Sequence, residues 1–184
     1  MKFQSIKTSE LNKRQIDQII NLKNTHWVHE LKSQITWFKK NAMPNDFHNL
    51  MIINNKIVGY TFLANRSLKI FHLNKINKKI LYTLFATLIV NKKYRNFFYV
   101  SNLMKFNSET IIKKNKPSFL LCHPHNIKLY KFFGWSYLKT SNFKVPETFF
   151  IDLICALPPT RDTEIPTLIA GRTPELNKSD VKKI

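Results

Sequence analysis

An α/β fold of the α+β kind, in one domain, is what this sequence predicts, on three observations. Apolar residues at helical spacing fill the first forty positions, then give way to strand patterning near position 50, and the two patterns alternate to about position 155. A β-hairpin is written around Asn54-Asn55. Finally, 184 residues of which 43% are hydrophobic can bury one real core, but are too few for two comfortable domains.

Each element follows in order. Phe3 to Lys7 reads as a short edge strand. Ser9 is the expected N-cap of a first helix, whose Ile16, Ile19 and Ile20 recur at helical spacing. Asn24-Thr25-His26-Trp27 interrupts it, and a second helix follows with Leu31, Ile35, Trp37 and Phe38 as its apolar positions. Leu50 to Ile53, the turn Asn54-Asn55-Lys56, and Ile57 to Leu63 form the hairpin. Leu68 to Leu73 extends or follows that sheet, and Ile80 to Val90 is a buried strand. Asn91 to Arg95 is a basic loop, and Phe97 to Asn115 a helix with Val100, Leu103, Met104, Ile111 and Ile112 inward. Ser118 to Cys122 is a strand, and His125 to Phe133 a helix closed by Gly134. Trp135 to Leu138 and Thr148 to Ile154 are the last two strands. Residues 158–184 are polar and Pro-bearing, and read as a C-terminal tail, disordered or docked, beyond a domain spanning 1–157. Only three Gly are present, so Asn, which tolerates left-handed backbone, is expected at turns.

The formal net charge is +19, which draws nucleic acid, anionic membrane or anionic small molecules. The Lys residues are scattered in pairs such as Lys78-Lys79 and Lys92-Lys93, without a long basic run, which argues against nucleic acid. Cys122 and Cys155 lie in apolar runs without metal-ligand spacing; they read as reduced core thiols, and no metal site is expected. The start lacks the apolar core of a signal peptide, and no stretch reaches the length of a membrane span, so a cytoplasmic location is the expectation.

Three local motifs, in order, resemble the GNAT superfamily of acetyl-CoA-dependent N-acetyltransferases over residues 3–155. Ile57-Val58-Gly59-Tyr60 resembles the hydrophobic-Val-Gly-aromatic signature of that family's third strand. Leu88 to Arg95 resembles its fourth strand and the Tyr-Arg entry to its cofactor loop. Leu129-Tyr130-Lys131-Phe132-Phe133-Gly134-Trp135 is similar to its helix-end pattern, a Tyr followed by Gly-aromatic. The resemblance implies a central, mixed, mostly antiparallel twisted sheet of six to seven strands flanked by about four helices. It also implies an N-acyltransferase that takes acetyl-CoA or another acyl-CoA as co-substrate and a small amine as acceptor.

Carried over residue by residue, Ile89 and Val90 would pair with the pantetheine arm, and Arg95, Asn96, Phe97, Phe98, Tyr99 and Val100 would form the pyrophosphate loop at a helix N-terminus. The sequence departs from the family here, since Phe98 and Val100 stand where Gly or Ala is usual. Lys92, Lys93 and Arg95 supply positive charge in compensation. Tyr130 takes the position of the family's proton donor to the leaving thiolate, and His123 stands where an Asn is frequent. Asp46 and Glu109 are the only acidic residues between Leu31 and Val145, so the general base falls to a histidine (His26, His48, His72 or His123) or a water relay. His72 is the choice. His26 and Trp27 border the region where the family holds its acceptor, an amino-sugar by analogy; the competing reading makes Trp27 a core anchor. Two alternatives remain open: a binding protein with a degenerate CoA site, and an acyltransferase fed by an acidic acyl-carrier protein. Pairing of sheet edges into a homodimer is common in the family.

Overall fold

The structure, a computed structural model, describes residues 1–27, 30–72, 75–122, 124–137 and 167–170, with the backbone alone for 68–72, 75–80, 124, 137 and 167–170. The chain divides into two compact units. The first holds residues 1–66 and 83–115, the second residues 67–82 and 116–184.

Strand β1 (Lys2–Lys7) pairs antiparallel with β2 (Phe47–Ile53), and β2 with β3 (Lys56–His72); β4 (Lys75–Val90) follows β3 in the sheet, and the first unit holds β3 as far as Arg66 and β4 from Thr83. The β2–β3 turn holds Asn54 and Asn55 at φ 48° and 59°, the positive values a two-residue hairpin turn of type I′ requires. Asn115, just past the third helix, also sits at φ 48°. Asn thus stands in left-handed positions that Gly commonly fills. The β2–β3 register shifts between Met51 and Ile52, so Ile52 faces Ile57 and Met51 faces Gly59. Val58 is the extra residue of that bulge, and its carbonyl accepts from Asn91 N at 2.7 Å.

Both faces of this sheet are covered. Helix α1 (Lys13–Asn24) begins at Asn12, not Ser9. Asn12 and Gln15 cap each other reciprocally at 2.9 and 3.0 Å, whereas Ser9 lies in a single 3-10 turn, Thr8–Glu10. Helix α2 (Leu31–Asn41) meets the sheet through its later turns: Phe38 stacks on His48 at 5.4 Å and Trp37 packs edge-on against Phe62 at 6.1 Å. Gln34 and Phe38 are buried there, while the predicted core positions Leu31 and Ile35 face solvent. The opposite face carries α3 (Phe97–Lys113), with Leu103 among Met51, Val58 and Val90, and Phe106 stacked on Phe3. Ile112 was expected inward but is 60% exposed; Asn107, one turn from Leu103, Met104 and Ile111, takes the inner position.

In the second unit β5 (Ser118–Cys122) and β6 (Ser136–Tyr137) both pair antiparallel with β7 (Thr167–Ala170), in the order β5-β7-β6. A strand therefore arises inside the segment read as a tail. The predicted strand Thr148 to Ile154 and Cys155 lie outside the described residues. Helix α4 (Ile127–Phe132) ends as predicted at Gly134, whose φ is 85°. Gly134 N donates to Lys131 O at 2.9 Å and Trp135 N to Tyr130 O at 3.1 Å, the paired bonds of a Schellman ending. Among the described residues no helix is long and apolar enough to cross a membrane.

Candidate functional site

The residues read as a cofactor loop lie together in the first unit, and their hydrogen bonds are directed inward. Strand β4 ends with Ile89 and Val90 buried. A 3-10 turn, Lys92–Tyr94, follows, then Asn96 as the N-cap of α3. Lys93 N donates to the Asn91 side chain at 3.0 Å, Tyr94 N to Asn91 O at 2.8 Å, Arg95 N to Lys92 O at 3.3 Å, and Asn96 N to Tyr94 O at 2.9 Å. Tyr99 N donates to the Asn96 side chain at 3.3 Å and Val100 N to Asn96 O at 3.1 Å. Of the eight backbone N–H groups from Lys93 to Val100, six are thus bonded within the loop. Two of the six, those of Lys93 N and Tyr99 N, go to Asn side chains, which compete with a phosphate for these N–H groups.

The side chains face the other way. Phe97 is 65% and Phe98 60% exposed, beside the exposed Lys92, Lys93 and Arg95. Phe98 meets Tyr99 edge-on at 5.2 Å, and Tyr99 meets Tyr94 the same way at 5.3 Å. Arg95 Nε donates to Val90 O at 3.2 Å, and its Nη2 lies 3.4 Å from His26 Nδ1. His26 follows the end of α1 and packs edge-on against Trp27 at 4.8 Å. Of the two residues assigned to an acceptor pocket, His26 therefore sits against the cationic loop, with Trp27 packed on it. Burial and then the Arg95 charge lower the His26 pKa, which favours the neutral ring.

The remaining sequence candidates are placed as follows. Tyr130, on α4 in the second unit, packs edge-on against the buried Trp135 at 6.5 Å. Burial, with Cys122 adding to it, raises the Tyr130 pKa well above that of a free phenol, so it holds its proton. Burial likewise pushes the Cys122 thiol up to about 11. His72 is the last residue of β3; its side chain, and His123 entirely, lie outside the described residues. Glu109 is exposed on α3. Asp46 is fully buried and committed: it accepts from Met43 N at 2.9 Å and Asn65 N at 2.7 Å, and pairs with Arg66 at 3.2 Å. His48 is sealed between Thr8 Oγ1 at 2.8 Å and the Tyr60 hydroxyl at 2.9 Å. With both ring nitrogens engaged and no exposed surface, it is a structural histidine.

Two of the buried polar groups that sequence reasoning passed over stand on the helices next to the site, α1 and α3. Lys23 is 4% exposed, with Nζ 3.1 Å from the centre of the Trp37 ring, and burial lowers its pKa to about 7. Asn107 accepts from Asn49 at 3.0 Å and Thr61 at 2.6 Å across α3 and the sheet. The signal was available in both cases. Lys23 follows Ile16, Ile19 and Ile20 by seven, four and three positions, and Asn107 stands on the Leu103, Met104, Ile111 stripe. Among the described residues no group of three His, Cys, Asp or Glu side chains comes together as a metal site.

No protein-family model and no curated protein matches the sequence. Solved structures do match. Escherichia coli ElaA superposes with a TM-score of 0.62 at 17% identity, over 93% of this chain and 99% of that one. Aminoglycoside 6′-acetyltransferase type Ii gives 0.60 at 14% identity, over 92% and 96%. The PaiA N-acetyltransferase of Thermoplasma acidophilum, in complex with coenzyme A, gives 0.52 at 10% identity, over 94% and 99%. The fold is therefore that of the GNAT N-acetyltransferases.

Proposed function

We propose that the chain is an N-acyltransferase moving an acyl group, acetyl in the simplest case, from acyl-CoA to the primary amine of a small acceptor such as an amino-sugar. The observation that carries this reading is the run from β4 through a cationic turn into the N-terminus of a 17-residue helix, in a chain with the GNAT fold. The neighbour in complex with coenzyme A supports the choice of donor. Lys92, Lys93 and Arg95 would hold the donor's phosphates by charge, because most loop amides are already bonded.

The transfer forms a C–N bond, breaks a C–S bond, removes one proton from the amine and gives one to the departing thiolate. Tyr130, held protonated by burial, is the proposed proton donor. For the base, His48 and Asp46 are closed off by their partners, and His72 remains our assignment. His26 and Trp27 are assigned to ligand contact beside Arg95. A second reading, a binding protein that has lost the CoA site, is favoured by the internally bonded loop alone.

The test is calorimetric titration of acetyl-CoA at moderate salt, with desulfo- and dephospho-CoA as controls, followed by acetyl transfer to amino-sugars. Binding that weakens as salt is raised is expected, and Tyr130→Phe should lower kcat by about a hundredfold. Turnover with any acyl donor excludes the binding-protein reading. Absence of acetyl-CoA binding, together with absence of transfer from any pantetheine thioester, ends the acyltransferase reading.

A further inference from the structure

Phe97 and Phe98 form an apolar pair at the start of α3, 65% and 60% exposed, on the surface that also presents Lys92, Lys93 and Arg95. No acidic residue occurs anywhere between Asp46 and Glu109, so nothing in the flanking sequence offsets these cations. Two adjacent, largely exposed rings beside a cluster of one sign are the composition of a docking surface: rings anchor a contact, and charges steer an oppositely charged partner to it.

We propose that this patch docks an acidic carrier protein, which presents the acyl group on its own phosphopantetheine arm at the end of β4. The inference rests on the acyltransferase reading and adds a carrier-borne thioester as a second donor beside acyl-CoA. Two observations select this occupant. Six of the eight loop amides are bonded internally, which leaves little for the pyrophosphate of a free nucleotide donor, whereas a carrier-borne arm has a single phosphate and no nucleotide to hold. The rings are exposed at the end of the strand proposed to receive the arm, where a bound protein gains apolar contact area. Nucleic acid or an anionic membrane would answer the charge but would bring no acyl group to β4.

The experiment uses the full chain and a purified bacterial acyl-carrier protein in its apo form, which lacks the arm, so that binding reports the protein surface alone. Binding is measured by biolayer interferometry for the parent, Phe97→Ser/Phe98→Ser and Lys92→Glu/Lys93→Glu. All four residues are exposed, and unchanged melting temperatures will show that the variants fold. Micromolar binding of the parent, weakened tenfold or more in both variants and by added salt, is the expected result. Failure of the carrier to bind, or equal binding by the variants, overturns the proposal. So does stronger binding, through the same residues, to single-stranded RNA or to vesicles rich in anionic lipid. Acyl transfer is scored separately: transfer from acetyl-CoA without carrier binding removes only the docking proposal. Patch-dependent carrier binding with no transfer from any thioester removes only the enzymatic reading.

Discussion

Replacing Lys23 with Met should make the protein more stable at neutral pH. The Lys23 side chain is enclosed at 4% exposure over the Trp37 ring, and burial lowers its pKa from 10.5 to about 7. A lysine whose folded pKa lies below its unfolded value binds fewer protons folded than unfolded between those two values. Stability therefore rises with pH through the window from 7 to 10.5, and the cost of the buried charge is fully present below 7. A gap of that size corresponds to about 5 kcal/mol. Attraction of the cation to the Trp37 ring offsets about 2 kcal/mol of it. Lys23→Met, close in volume and uncharged, should then gain about 3 kcal/mol at pH 6. With the same net cost of about 3 kcal/mol, the parent should gain about 1 kcal/mol between pH 7 and 9, and the variant nothing. Urea denaturation at pH 6, 7, 8 and 9 measures both. Readings stop at pH 9 because burial, and then the Asp46 charge, raise the Tyr60 pKa above 10; ionisation of the unfolded tyrosine lowers stability beyond that point. A Met variant less stable than the parent at pH 6, or an alkaline gain that persists in it, would refute the reasoning.

His48 should govern the acid side. Burial, and then the Lys23 charge, lower its pKa from 6.5 to about 4, so the unfolded state binds more protons between those values and stability falls as pH drops through them. The loss should reach about 3 kcal/mol by pH 4, and His48→Gln should flatten that limb of the urea midpoint against pH. An unchanged acid limb in the variant would assign the loss to other groups. Gly59→Ala should destabilise by about 1–3 kcal/mol, because a Cβ there would meet Met51 Cε at 2.6 Å and both Met51 Cβ and Leu103 Cδ2 at 3.1 Å. Thermal melts of Gly59→Ala with and without Met51→Ala test this. Equal cost in both backgrounds would show that the clash with Met51 is not the cause.

Much of the fold was legible because it rests on local signals. The Asn54-Asn55 hairpin, the Gly134 helix ending and the Lys13–Asn24 helix each follow from backbone preferences within a few residues. Apart from the helix cap, which fell on Asn12 and not Ser9, the failures share one cause. Leu31, Ile35 and Ile112 carry apolar side chains on helices whose inner faces are chosen by where the sheet lies, and Gln34 and Asn107 take the inner positions. Strand Thr167–Ala170 lies in the segment read as a disordered or docked tail, and its position could not be read locally because four residues of strand gain stability mainly from neighbours distant in sequence, here β5 and β6.

The candidate site divides along the same line. The sequence by itself determined the chemical inventory: a Tyr before a Gly-aromatic pair, cations after a buried strand, and a loop without glycine. Only the tertiary structure decided that His48 is sealed by Thr8 and Tyr60, that Asp46 is held by Arg66, and that Lys23 lies over Trp37. It also decided that the loop's Phe rings turn outward while its Asn side chains close its amides. Side-chain identity travels with the chain. Burial, hydrogen-bond partners and the pKa shifts they cause depend on residues brought together from a dozen to forty positions apart, as His48 and Tyr60 or Thr8 and His48 are.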